Sequence, residues 1–104
     1  MEETQENIKI KIAISLNALA NYTKENLQNN TSGKKPHISY SEIADSCNMR
    51  KATVSDIFNA NKTANSFTLF SIIKAMGYEL IDFAKVYDRI TNRDIINFKT
   101  KKDA

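Results

Sequence analysis

Turn-forming residues are scarce in this chain: two glycines, Gly33 and Gly77, and one proline, Pro36, serve 104 residues. A sandwich or barrel of short strands needs a turn signal about every 8–12 residues, far more than this sequence supplies. The long stretches between these residues predict helices, and the length allows one domain. The expected fold is therefore all-α: a compact bundle of about five helices, with a long N-terminal helix, a central pair joined by a tight turn, and a C-terminal helical extension. Residues 1–7 read as a flexible acidic arm, 8–98 as a single domain and 99–104 as a basic tail.

The hydrophobic share of 41% is enough for a chain to fold on its own. A single cysteine, Cys47, excludes an internal disulfide framework and a multi-thiolate zinc site, and fits a reducing, cytoplasmic setting. The acidic start does not resemble a secretory leader, and the longest uncharged run, 12–23, falls short of the roughly 20 residues that span a bilayer. A net charge of +3 permits nucleic-acid binding without requiring it, because the basic groups are spread along the chain.

From Ile8 the pattern is double. Residues 8–14 alternate as a strand would, while Ile8, Ile12, Leu16, Leu19, Thr23 and Leu27 recur at helical spacing. Length decides for a helix over about 8–28, since ordinary strands are much shorter. Gly33, Pro36 and His37 lie in a polar loop. Ser39 and Glu42 then have capping-box spacing, with Ile38 at the staple position, so a short second helix starts at Tyr40. Asn48 marks its end, because Asn tolerates the left-handed backbone of a tight turn. A third helix, Lys51 to Phe58, buries Val54 and Ile57; a fourth, capped by Ser66, offers Phe67, Leu69, Phe70, Ile72, Ile73 and Met76 as a wide apolar face and stops at Gly77. A fifth, over about 79–90, carries Leu80, Phe83, Ala84 and Tyr87 on one stripe. Thr91 and Asp94 can cap one last turn through Ile95, Ile96 and Phe98.

The inventory for catalysis is thin, and neither glycine has a partner at phosphate-loop spacing. Cys47 and His37 are the only thiol and imidazole, yet Cys47 falls on an apolar position and reads as a small core residue. Glu79 and Asp82, three apart, have no basic or histidine companion and read as a solvated face. No catalytic residue, metal site or cofactor is expected, and the chain is not expected to be an enzyme.

The informative arrangement is the helix, tight turn and helix over 39–59. Two short helices that cross steeply need a small side chain at the contact, which Ala44 supplies, and apolar pegs beside the turn, which Ile43, Met49 and Val54 supply. Here the sequence resembles the lambda-repressor-like (Cro-type, or XRE) helix-turn-helix family. That family runs Ser-x-x-Glu-Leu-Ala, a Gly-apolar turn, a Ser/Thr-Ile/Val-Ser recognition helix and a later Leu-x-x-Ile-x-x-Ala-Leu-Gly helix. This chain has Ser39, Glu42, Ile43 and Ala44, then Asn48 and Met49, then Thr53, Val54 and Ser55, then Leu69, Ile72, Ala75, Met76 and Gly77. The resemblance covers 38–83, close to half the chain. It departs at the turn, where Asn48 replaces Gly, at the recognition-helix cap, where Arg50 replaces Ser, and in the connector, which lacks the usual Gly.

The resemblance implies sequence-specific binding of double-stranded DNA and transcriptional regulation, with repression as the usual output. Base reading falls to Lys51, Ala52, Thr53, Ser55 and Asp56, and phosphate contact to Tyr40, Ser41, Arg50, Asn59 and Lys62. The plain alternative for each is a solvated surface residue. A domain this small reads few base pairs, so a homodimer on a two-fold symmetric operator is expected. The surplus apolar residues Ile81, Val86, Tyr87 and Ile90 form either the dimer surface or a packing face against the long first helix. The competing function is a protein-interaction module on the same scaffold, such as an antitoxin that engages a toxin partner.

Overall fold

The computed structural model describes residues 4–27 and 39–103. The predicted loop 28–37, with Gly33, Pro36 and His37, lies outside the described residues, as does the staple position Ile38. Among the described residues there are six helices and no strands: α1 (Gln5–Leu27), α2 (Tyr40–Cys47), α3 (Lys51–Phe58), α4 (Ser66–Ala75), α5 (Leu80–Asp88) and α6 (Asn92–Asp103). No helix among them is long and apolar enough to cross a membrane.

α1 is the spine, packing against α3, α5 and α6, while α2 packs on α3 and α4. Its strand-like alternation resolves as a helix because Ile10, Ala13, Leu16, Leu19, Ala20 and Thr23 fall on one buried face. The helix starts at Gln5, so part of the expected acidic arm is helical, and Ile10 is core. Two polar side chains on that face find partners: Ser15 Oγ donates to the Lys11 carbonyl at 2.7 Å, and the hydroxyls of Thr23 and Tyr78 are hydrogen-bonded at 3.0 Å.

The main core joins Leu16 and Leu19 of α1 to Ile43 and Ala44 of α2, Val54, Ile57 and Phe58 of α3, and Ile72, Ile73 and Met76 of α4. A second, smaller cluster joins Ile10 and Ala13 to Ala60 and Ile95, with Ile14, Ile90 and Phe98 packed around it.

Several details differ from the sequence expectation. Asn65, not Ser66, caps α4, its side chain accepting from the Thr68 N–H at 2.8 Å. Phe67 and Phe70 are exposed, so the apolar face of α4 is narrower than its composition suggested. The inward stripe of α5 is Phe83, Val86 and Tyr87, continued by Ile90 just beyond the helix and set one turn later than expected, because these residues meet α1 and the two cores while Leu80 and Ala84 stay outside. The predicted last turn is a twelve-residue helix, α6, and takes in most of the expected tail. Thr91 and Asp94 cap it as expected, the Asp94 carboxylate accepting from the Thr91 N–H at 2.9 Å. No glycine or proline follows to stop it, and the lysines of its last turn favour a helix C-terminus.

Candidate nucleic-acid interface

The unit over 39–59 is built by local chemistry. Ser39 Oγ accepts from the Glu42 N–H at 3.1 Å and starts α2, with its own hydroxyl held by Glu42 Oε1 at 2.9 Å. Asn48 takes φ 55°, ψ 50°, the left-handed conformation expected of it, and the Met49 N–H returns to the Ala44 carbonyl at 2.9 Å. Ala44 is buried at the helix contact, and Met49 packs at the edge of the core.

α3 divides its residues sharply. Val54, Ile57 and Phe58 are buried. At about 100° per residue, Ala52, Ser55, Asp56 and Asn59 fall on one stripe away from them, and Lys51 and Thr53 fall at its two borders. Lys51, Ala52 and Asn59 are exposed, and Thr53, Ser55 and Asp56 are half-exposed. Asn59 is already committed within the helix, its amide donating to the Ser55 carbonyl at 2.8 Å and lying 3.4 Å from Ser55 Oγ.

The two ends of α3 are treated differently. Arg50 occupies the N-cap position in an extended conformation, and no side chain caps the helix there. At the other end, the last four carbonyls, which a helix leaves without partners of its own, are all satisfied. Asn59 N–H reaches Ser55, Asn61 N–H reaches Asp56, Ala60 N–H reaches Ile57, and Asn17 of α1 donates its amide to Phe58 at 2.8 Å. Ala60 makes this possible by taking φ 59°, where the resemblance expected a glycine nearby, and its methyl is 2% exposed in the second core cluster.

Around α3, Ser41, Arg50 and Lys62 are exposed. Tyr40 is half-buried, its ring tilted against Phe58 with centroids 5.0 Å apart. Of the four proposed dimer residues only Ile81 stands out, at 62% exposure. Val86 packs on the main core, Ile90 on the second cluster, and the Tyr87 ring lies between Phe83 and the Lys11 ammonium, 4.3 Å away. Phe67 and Phe70 of α4 are exposed apolar residues that the sequence expectation did not separate from the buried Ile72, Ile73 and Met76, because it placed them all on one wide apolar face.

The residues weighed for catalysis are occupied otherwise. Asp82 accepts from the Glu79 backbone N–H at 2.9 Å and so caps α5, while Glu79 pairs with Lys74. Cys47 is half-buried, and burial pushes its thiol up from the ordinary value. His37 lies outside the described residues, and among those described no three of His, Cys, Asp and Glu gather as metal ligands do. Comparison with protein-family models, with curated proteins and with solved structures finds no match for this chain.

Proposed function

We propose that this protein is a sequence-specific double-stranded DNA-binding regulator of transcription, a repressor acting as a homodimer on a two-fold symmetric operator, with α3 in the major groove. One observation carries the reading: α3 is fixed to the body along one side and at its C-terminal end, while its N-terminus and outer stripe are left to solvent with Arg50 and Lys51 beside them. A helix held this way can enter a groove, its free N–H groups and cations meeting phosphate and its outer side chains meeting base edges. Lys51, Ala52, Thr53, Ser55 and Asp56 read bases in this scheme. Ser41, Arg50 and Lys62 set register on phosphates. Tyr40 and Asn59 contribute less, because the ring of one and the amide of the other already have partners.

The exposed Phe67, Phe70, Leu80 and Ile81 give the competing reading, a module that binds another protein, its own footing. Selection of bound duplexes from a random pool, with Thr53→Ala in parallel, separates the two. A symmetric motif with half-sites about one helical turn apart, altered at one position per half-site by the substitution, supports the repressor. Weak binding without a motif points to the protein partner.

A further inference from the structure

The sequence presents Lys99, Lys101 and Lys102 as a trailing basic end, but the structure does not let them trail. They sit on the last turns of α6, which is anchored by Ile95, buried in the second cluster, and by Phe98, packed beside it. That anchorage brings them to the turn that leaves α3. Lys101 and Lys102 line a cleft of about 390 Å³ together with Asn59, Asn17 and Phe98. On the other flank, Lys99 and Lys102 line a cleft of about 240 Å³ together with Ala60 and Glu6. Some forty residues of sequence separate these lysines from Asn59 and Ala60, and the fold sets them on both sides of that turn. All three are exposed, as is Lys62 just beyond it.

Among the described residues, local acids do not account for this charge: Glu6 is the one carboxylate among them lining either cleft, and it bonds Lys9 at 2.9 Å. That bond, before the more distant Lys99 and Lys102, is what holds the Glu6 carboxyl below its usual value. Lys101 shares its cleft with Asn17, Asn59 and Lys102, none of them acidic. Two of the lysines also favour the helix C-terminus, but that role needs no particular neighbour and gives no reason for their place beside α3.

We infer that the last turns of α6 form a second phosphate-binding element, in which Lys99, Lys101 and Lys102 join Lys62 around the Asn59–Ala60 turn and grip the DNA backbone flanking the groove that α3 enters. The inference rests on the DNA-binding reading. It adds a contact that carries no sequence information, since lysine meets phosphate as a point charge. Its effect is on affinity and salt dependence, with the recognised motif unchanged.

The test is a salt titration of binding to two duplexes, one bearing the selected motif and one of scrambled sequence. It compares the full chain with a Lys99→Gln, Lys101→Gln, Lys102→Gln variant, a triple Lys→Arg variant and a Lys85→Gln control. Each phosphate contact contributes about 0.9 to the slope of log K against log salt, so the Gln variant should lose up to about 2.7 units of slope. Between 50 and 200 mM salt that is roughly a fortyfold smaller fall in affinity than the parent shows. Both duplexes should lose slope alike, the Arg variant should keep the parental slope, and Lys85→Gln should leave it unchanged. A thermal melt of each variant confirms the fold. A parental slope in the Gln variant, while the parent still selects its motif, overturns the inference alone. A parent that binds neither duplex overturns it together with the DNA-binding reading.

Discussion

The two ends of α3 make opposite use of the rest of the molecule. At its start the chain turns through Asn48, an exposed residue in a left-handed conformation that its side chain type tolerates, and Arg50 leaves the first N–H groups without a side-chain cap. At its end the turn passes through Ala60, a left-handed residue with no such tolerance, and the carbonyls are closed by the backbone N–H groups of Asn59, Ala60, Asn61 and Lys62 and by Asn17 from α1. The strained turn is the buried one. Packing of the Ala60 methyl against Ile10, Ala13 and Ile95 pins a conformation that the residue would not choose alone. One end is thus fixed by tertiary contacts and the other is left for something outside the chain.

Ala60→Val breaks this comparison most severely. A β-branched side chain at φ 59° meets its own backbone, and the added methyls press on the second cluster. The expected loss is about 3 kcal/mol, the upper end of the usual cost of overpacking, because the β-branch adds a backbone clash to a left-handed penalty that alanine already bears. Chemical denaturation reads it as a lower midpoint, and a loss under about 1 kcal/mol would mean that the turn can relax without its neighbours.

Asn17→Ala tests the same end from the other side. It removes the donor to the Phe58 carbonyl and a second bond, at 2.8 Å, to the Ala13 carbonyl. The expected loss is about 1–3 kcal/mol, the usual penalty for leaving a partly buried acceptor unmet. Faster hydrogen exchange at Asn59 and Ala60 than at Met49 would place the loosening at the end of α3. Equal change at both ends would mean that Asn17 supports the fold only in general.

The contrast also explains what could be read from the sequence. Features written in adjacent residues were legible: the Ser39 cap, the Asn48 turn, the bounds of α3, and its buried Val54 and Ile57. Asn17 and Ala60 were not legible as partners of α3, because a midhelix asparagine and an alanine carry no turn signal and their roles come from contacts distant in sequence. The same limit hid the placement of Lys101 and Lys102 beside Asn59. The extension of α6 was available in principle, since nothing after Asn92 breaks a helix. Val86, Tyr87 and Ile90 were grouped with Ile81 as an expected dimer surface because all four are apolar, and only their angular positions about α5 and the turn that follows it separate them.

Arg50→Ser has the smallest effect and separates stability from function. Serine at an N-cap accepts from the second or third helical N–H and stabilises by about 0.5–2 kcal/mol relative to a residue that cannot. The melting temperature should rise by several degrees, at about 4–8 °C per kcal/mol for a domain of this size. Under the proposed function the same change removes a phosphate contact and occupies N–H groups that phosphate would otherwise meet, so affinity should fall on every sequence and the salt slope should flatten by about one unit. Gain in stability with loss of binding is the expected pair. A rise in stability with binding unchanged would mean that the free end of α3 does not face phosphate, and the groove assignment would have to turn toward the Asn59 end. No gain in stability would mean that water already serves those N–H groups as well as a hydroxyl does, and the two ends of α3 would then differ in packing but not in hydrogen-bond satisfaction.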